Sequence, residues 1–267
     1  GVDCAVMIHP FSYDLVSHAW TGRRSLTATF SGVAAHASMQ PYMGRNALDA
    51  ATLAYQAFGL LRQQMPPSDR LHAIIADGGA RASIIPEEAT LNIYVRSLYT
   101  DTLMDLSKRI DDILTGAALM TGTGVEVDWD NHPMSLPVRN NETLAARWGA
   151  TQQARGRRVL PGGILPDSQA ASTDFGNVSQ LVPGIHPLLK IAPEGTALHT
   201  VAFADAAITP AAIDGAVDSA VGLGQVIADV LNDPQLLADA RAEFDAAGGA
   251  VSVEALLSEA EDATAPA

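Results

Sequence analysis

The sequence has one cysteine and few basic residues, and these two scarcities exclude several classes of protein. Cys4 alone cannot form an internal disulfide, which fits a reducing compartment and predicts a cytoplasmic protein. The chain has 16 Lys and Arg against 30 Asp and Glu, a net charge of -14, and no basic cluster. Nucleic acids and anionic membranes are bound by such clusters, so neither is expected as a partner. We also find no secretory signal pattern and expect no segment apolar enough to cross a bilayer.

The first ten residues, GVDCAVMIHP, predict a buried strand. Their short apolar run stops at Pro10 and places His9 at the carboxyl end of the strand, where ligands of open α/β sheets usually bind. A histidine that only makes local hydrogen bonds is the alternative, and Cys4 is interpreted as a core residue. Because position 1 falls inside this strand, the natural amino terminus is expected upstream.

The 267 residues, 48% of them hydrophobic, are enough for two moderate cores, and periodicity predicts that the second core is an insertion. Residues 23–132 predict the order β-α-β-β-α-β, a ferredoxin-like α+β domain with an antiparallel four-stranded sheet and both helices on one face. Asn46 is the predicted cap of the first helix, at 46–64. The second helix is predicted at 101–121.

The flanking segments predict a larger α/β domain that the insertion interrupts. Residues 1–22 are the end of its first segment, and residues 133–250 are its carboxyl-terminal segment. The latter contains a predicted buried strand in GIHPLLKIA and helices at 210–231 and 234–247. Residues 251–267 are interpreted as an acidic tail that frays into solvent.

Five stretches together resemble one enzyme family: GVDCAVMIHP, FSGVAAHASMQPYMGRNALDA, IIPEEATLNIYVRS, STDFGNVS and ALHTVAFADAA. The chain is similar to the aminoacylase/glutamate carboxypeptidase family of zinc exopeptidases, peptidase family M20. It most resembles the amidohydrolase branch, which includes hippurate and p-aminobenzoyl-glutamate hydrolases and β-alanyl dipeptidases. The resemblance implies a partial α/β catalytic domain of the phosphorylase/hydrolase-like zinc exopeptidase fold, with the insertion as lid and dimerisation domain. It further implies hydrolysis of the amide bond of a small N-acyl amino acid or dipeptide.

The resemblance also implies two zinc ions per complete subunit, with manganese or cobalt as alternatives. His9 and His199 match metal-ligand histidines of the family. The family's other ligands and its general base have no counterpart in these 267 residues, so this chain alone is expected to be inactive. A non-catalytic dimerisation or small-molecule binding module therefore remains the alternative function. Four histidines lack motif context and are interpreted as surface or packing residues: His18, His72, His132 and His186.

Three residues of the inserted domain match substrate-contacting positions of the family. His36 is implied to reach the active site of the partner protomer and help polarise the scissile carbonyl, unless it is a buried structural histidine. Arg96 is implied to bind the substrate's carboxylate, a role that suits its planar guanidinium, unless it is a solvated strand residue. Ser83 stands where the family commonly has an asparagine.

The remaining predictions concern two loops and the oligomer. Asp174 and Asn177 lie in a loop that the family places near the metal, where Asp174 either orients a ligand histidine or stabilises its own loop. Gly195 and Thr196 belong to a loop that could place a backbone group against substrate. A homodimer through the lid domain is expected, with its edge strand and helix 46–64 pairing around a twofold axis.

Overall fold

A computed structural model describes the backbone of residues 1–264 and the side chains of residues 1–258. The chain divides into two compact units. One, the inserted domain, is Thr21–Ser135; the other, the flanking unit, combines Gly1–Trp20 with the chain from Leu136 onward. The domain boundaries predicted from the sequence lie after residues 22 and 132.

The described residues form ten strands and eight α-helices. The strands are β1 (Ala5–Val6), β2 (His9–Phe11), β3 (Gly22–Ser31), β4 (Ala35–His36), β5 (Arg70–Asp77), β6 (Ile84–Ile85), β7 (Glu88–Ser97), β8 (Gly124–Trp129), β9 (Gly184–Ile185) and β10 (Leu188–Lys190). The helices are α1 (Ala47–Leu61), α2 (Thr100–Thr121), α3 (Glu142–Ala154), α4 (Phe175–Ser179), α5 (Val201–Ala207), α6 (Pro210–Asn232), α7 (Pro234–Ala246) and α8 (Val253–Thr264).

The inserted domain is built on a four-stranded antiparallel sheet in the order β5-β7-β3-β8. Leu26, Ala28 and Phe30 of β3 are fully or almost fully buried beneath α1 and α2, which pack against the same sheet and each other. The alternation of buried and half-exposed residues along β3 follows from the two-residue period of a strand. The βαββαβ fold expected from the sequence is confirmed.

Local signals set the ends of the two helices in this domain. The Asn46 side chain accepts a hydrogen bond from the Leu48 amide and caps α1, as the sequence predicted. Helix α2 ends at Gly122, whose φ of +67° lies in the left-handed region that glycine adopts without a steric penalty. The cap at Asn46, ten residues after His36, thus fixes the start of α1.

A small two-stranded sheet in the inserted domain was not predicted. Strand β4 pairs antiparallel with β6, with His36 opposite Ile84. Strands of two residues are too short to show a periodicity, which is why the sequence did not reveal them. This pairing joins the GVAAHAS segment to the segment before IIP.

The amino-terminal strand is shorter than predicted, and His9 begins a strand instead of ending one. β1 pairs in parallel with β9, and β2 pairs in parallel with β10, in one continuous register. Pro187 has no N–H to donate back, so the ladder is interrupted between the two pairs. Val2 is 66% exposed and lies outside the strand. Cys4 is half-buried and packs against the adjacent core, and burial raises the pKa of its thiol.

The core of the flanking unit surrounds Trp148 on α3, which packs with residues of α6, α7 and β9. Helix α6 corrects one exclusion from the sequence, because it is long and apolar enough by length and composition to cross a membrane. Its Asp218 and Asp229 form ion pairs with Arg155 and Arg147, and α6 packs against α3. We therefore assign α6 to this unit, where one of its faces packs against α3 and the other is exposed.

The acidic end of the chain is helical where the sequence predicted a frayed tail. Helix α8 spans Val253–Thr264, and residues 265–267 of the predicted tail lie outside the described residues. Glutamate, alanine and leucine, which make up most of this segment, have good helix propensity, so its acidic charge did not prevent a helix.

Candidate functional site

His36 is exposed at the end of β4, and its imidazole is held by the backbone that follows it. The amides of Ser38 and Met39 donate hydrogen bonds to His36 Nδ1, at 3.3 and 3.2 Å. Because Nδ1 accepts both bonds, the proton of the neutral ring is on Nε2. The arrangement therefore presents an oriented N–H donor to solvent. The exposure of His36 argues against the alternative of a buried structural histidine.

The structure brings Ser83 next to His36. The Ala37 amide donates to the Ser83 carbonyl oxygen at 3.0 Å, immediately beside the β4–β6 pairing. Ser83 itself is exposed. The two residues share one exposed end of the inserted domain, where a ligand could contact both.

Arg96 lies at the other end of β7 from Ser83 and His36. β7 has ten residues and a length of about 30 Å, and Arg96 is its penultimate residue. Burial lowers the pKa of the Arg96 guanidinium, and the positive charge of Arg23 lowers it further. One small molecule is too short to contact Arg96 and His36 of the same inserted domain.

His9 is poised as a ligand by a backbone hydrogen bond. Its Nδ1 lies 2.8 Å from the Pro10 carbonyl oxygen, which can only accept, so Nδ1 carries the proton. The Nε2 atom then keeps its lone pair. Metal-binding histidines are commonly oriented in this way, with the second ring nitrogen donating to a carbonyl or carboxylate.

Two further histidines surround Trp20 beside His9, and the sequence missed their proximity. His186 is fully buried, stacks on Trp20 at 4.6 Å between ring centroids, and lies 5.9 Å from the ring of His9. His18 lies 6.0 Å from Trp20 and is also buried. These two were interpreted as surface or packing residues, and the structure shows them in the interior, whereas His72 and His132 are exposed.

His186 has the most perturbed surroundings of this histidine cluster. Neither of its ring nitrogens has a hydrogen-bond partner among the described residues. Burial and the nearby His9 lower the pKa of His186 to about 4, and Asp174 opposes this shift. His186 is therefore a neutral imidazole at physiological pH. Its proline-bounded context, GIHPLL, was the signal that could have drawn attention to it.

His199 is exposed and adopts a left-handed backbone conformation with a φ of +58°. Few residues other than glycine adopt this conformation, which costs on the order of 1 kcal/mol or more and often marks functional sites. His199 immediately precedes Thr200, whose hydroxyl caps α5 by accepting from the Phe203 amide. The cap thus fixes the point at which the His199 side chain leaves the loop.

The other predicted site residues of the flanking unit are Asn177, Asp174, Thr196 and Gly195. Asn177 Oδ1 accepts from the Leu136 amide at 2.7 Å, so it holds the backbone there. Asp174 is exposed at the start of α4. Thr196 donates its hydroxyl to the Pro193 carbonyl oxygen in a turn that contains Gly195, whose φ is +80°. Their roles toward substrate stay predictions.

The described residues do not form a complete metal centre. Among them, no group of three or more His, Cys, Asp or Glu side chains is arranged to hold a metal ion. His9 offers one oriented imidazole nitrogen, but a structural or catalytic zinc site in proteins takes at least three protein ligands. Within the part of the chain that the structure describes, the donor set is therefore incomplete.

Residues 20–119 match a family described as the peptidase dimerisation domain. Over 244 residues, 91% of this chain and 56% of the relative, the chain is 35% identical to the Xaa-Arg dipeptidase of Mus musculus. It is also 26% identical to a p-aminobenzoyl-glutamate hydrolase chain of Escherichia coli (strain K12), over 91% of this chain and 61% of the relative.

The solved structures show the same fold. An aminobenzoyl-glutamate utilization protein from Klebsiella pneumoniae superposes with a TM-score of 0.55, at 21% identity, over 69% of this chain and 49% of the other. The chain spans little more than half the length of the curated relatives it matches.

Proposed function

The chain carries the M20 peptidase dimerisation domain and is homologous to M20 dipeptidases and N-acyl amino acid hydrolases, and from this premise we propose that it functions in amide hydrolysis. The substrate is a small N-acyl amino acid or a dipeptide. The observation that carries the proposal is the orientation of His36, whose Nε2–H points away from two backbone amides that fix the ring. A fixed donor of this kind stabilises the negative charge that develops on a scissile carbonyl oxygen.

The positions of His36 and Arg96 support an active site built from two copies of the chain. About 30 Å of β7 separates Arg96 from the His36 end of the domain, so one substrate cannot contact both in one copy. We propose that Arg96 binds the substrate's carboxylate in its own protomer, while His36, with Ser83 beside it, serves the active site of the partner.

The proposed homodimer uses the exposed edge of the inserted domain. β5 is an edge strand of the sheet, and Ile74 and Ile75 on it are 61% and 42% exposed. Helix α1, which packs beside β5, exposes Leu53, Tyr55 and Leu60. An apolar edge strand with an apolar helix beside it is a surface that pairs with a second copy unless it is covered. Sedimentation at micromolar concentration should show a species of about twice the 27.9 kDa chain mass, and a species of one chain mass alone would refute the dimer.

Metal dependence is part of the proposal. We propose that His9 and His199 are zinc ligands and that the remaining ligands and the general base lie outside these 267 residues. Zinc, when bound, supplies a polarised water and a Lewis acid for the carbonyl. His9 is already in the tautomer that leaves Nε2 free to bind, and His199 has the strained backbone that often accompanies a functional side chain. We also propose a cytoplasmic location, on the strength of the single cysteine.

A non-catalytic dimerisation or binding module is the second candidate, because the described residues hold no complete metal centre. The two candidates differ in what His36 does. In protein produced from the whole gene, His36→Ala should lower kcat by about 10²- to 10³-fold, the usual effect of losing one oxyanion donor, with a smaller change in KM. The control is His132→Ala, an exposed histidine of the same domain, which should leave kcat unchanged. No hydrolysis of any N-acyl amino acid or dipeptide with zinc, manganese or cobalt would favour the binding module.

A further inference from the structure

Three arginines form a row across the open face of the inserted domain's sheet. Arg96 on β7 is directly opposite Arg23 on β3 and directly opposite Arg70 on β5. All three are half-buried. Side chains alternate between the two faces of a strand. Leu26 and its buried neighbours lie on the face that packs against α1 and α2, so the arginine row lies on the opposite face.

The row places three guanidinium groups side by side on one face of the sheet. Directly opposite side chains have Cβ atoms about 5 Å apart, and like charges in such pairs destabilise a sheet. The adjacent Arg24 shows the usual solution, because it makes hydrogen bonds to both carboxylate oxygens of Asp130, with the shortest at 2.8 Å. In the described part of the chain, neither Arg23 nor Arg70 forms an ion pair with a carboxylate.

Arg23 has donor capacity that the protein itself does not use. Its Nη2 donates to the Pro133 carbonyl oxygen at 3.1 Å, and its guanidinium lies 5.8 Å from the centre of the Tyr94 ring. Its Nε–H is buried and has no acceptor among the described residues. A buried donor without an acceptor is costly, so the Arg23 side chain gains if its half-buried guanidinium turns toward an acceptor supplied from outside. Arg70 is more engaged, since its Nη1 donates to the backbone oxygens of Pro67 and Asp69.

We propose that Arg23 determines substrate specificity by binding, beside Arg96, a second carboxylate of the substrate. This assignment rests on the proposed function, in which Arg96 binds the first carboxylate. Aspartate and glutamate carry two carboxylates a few bonds apart, and two neighbouring guanidinium forks can each hold one of them. The amino acid released by hydrolysis is therefore acidic. Arg70, on the far side of Arg96, adds to the positive field and contributes less than Arg23 because Nη1 is already bonded.

The test is calorimetric binding to the full 267-residue chain, which needs no hydrolysis. The probes are N-acetyl-L-glutamate, N-acetyl-L-glutamine, which has the same shape and one carboxylate fewer, and glutarate, which has no amide. We expect N-acetyl-L-glutamate to bind about tenfold or more tighter than N-acetyl-L-glutamine, as one charge-assisted contact allows. Arg23→Gln should reduce this ratio to about twofold or less. Arg109→Gln on α2 removes the same charge from another half-buried position, where Arg109 donates to Gln64, and should leave the ratio unchanged.

A second variant separates recognition from folding. Arg23→Lys keeps the charge and most of the packing but loses the planar fork, so its ratio should fall between those of the parent and Arg23→Gln, at an unchanged melting temperature. Equal binding of the two N-acetyl compounds to the parent chain, or a ratio that survives in Arg23→Gln, would overturn the role of Arg23 and leave the proposed function intact. Arg23-dependent binding of glutarate without binding of either N-acetyl compound would support the arginine site and overturn the proposed function. No binding of any probe would overturn both.

Discussion

Asn141 joins α3 and α7 through its buried side chain and β9 through its backbone amide, and removal of the side chain should destabilise the flanking unit. Its Oδ1 accepts from the Leu144 amide and caps α3, while its Nδ2 donates to the Ala240 carbonyl oxygen in α7 at 2.9 Å. Its backbone amide donates to Gly184 of β9. The side chain is only 3% exposed, so water cannot replace these partners.

The magnitude follows from the two side-chain bonds. Losing an N-cap costs about 1 kcal/mol. The bond to the Ala240 carbonyl oxygen adds about 0.5–1.5 kcal/mol, because that oxygen lies within α7 and keeps its helical partner when Asn141 is removed. We therefore expect Asn141→Ala to lower the free energy of unfolding by about 1.5–2.5 kcal/mol. Asn141→Ser, which keeps an oxygen for the cap and loses the donor, should fall between Asn141→Ala and the parent.

The assay is urea unfolding followed by far-UV circular dichroism, with hydrogen exchange of the Leu144 amide as a local readout. The matched control is Thr209→Ala, which removes the cap of α6 in the same unit and a local bond to the Ala206 carbonyl oxygen, but no bond between distant elements. Its cost should be about 1 kcal/mol. An Asn141→Ala cost no larger than that of the control would refute the reasoning, because the bond to Ala240 would then contribute nothing.

Three further predictions test other parts of the chain. A Cβ on Gly32 would lie 2.0 Å from the Arg45 carbonyl oxygen, so Gly32→Ala should destabilise the inserted domain by about 1–3 kcal/mol and alter the His36 imidazole signals in NMR spectra. Gly59→Ala is the control and should do neither, because no atom lies within 4 Å of a Cβ at that position. The pKa of His186 is about 4 in the folded chain, against an ordinary value of 6.5. Between these two pH values the folded state therefore binds fewer protons than the unfolded state. The contribution of neutral His186 to stability is complete above pH 6.5, and the free energy of unfolding falls by about 1.4 kcal/mol per pH unit as the pH is lowered towards 4. Measured in EDTA, His186→Phe should remove this pH dependence. Equal slopes of unfolding free energy against pH in the two proteins would contradict the prediction. Protein from the whole gene should hold about two zinc ions per chain, and His199→Ala should lose at least one, so unchanged zinc by atomic absorption would remove His199 from the site.

The sequence alone determined the inserted domain. The alternation of Leu26, Ala28 and Phe30 and the cap at Asn46 are local patterns, and a sheet with one buried face converts such patterns directly into strands, register and helix faces. Through its resemblance to a known family, the sequence also indicated His36 and Arg96 as candidate site residues. The strands of the flanking unit were less well predicted, because two-residue strands carry no periodicity and the interruption at Pro187 breaks the ladder.

Only the tertiary structure decided which residues meet. His186 is far along the chain from His9, His18 and Trp20, and it joins them because parallel pairing of β2 with β10 aligns distant segments. The separation of Arg96 from His36 follows from the length of β7, and the juxtaposition of Arg23, Arg96 and Arg70 follows from strand register. Only the arginine row depends on pairing between segments distant in sequence. A single strand read alone shows which face each side chain takes, but not which side chain stands opposite it.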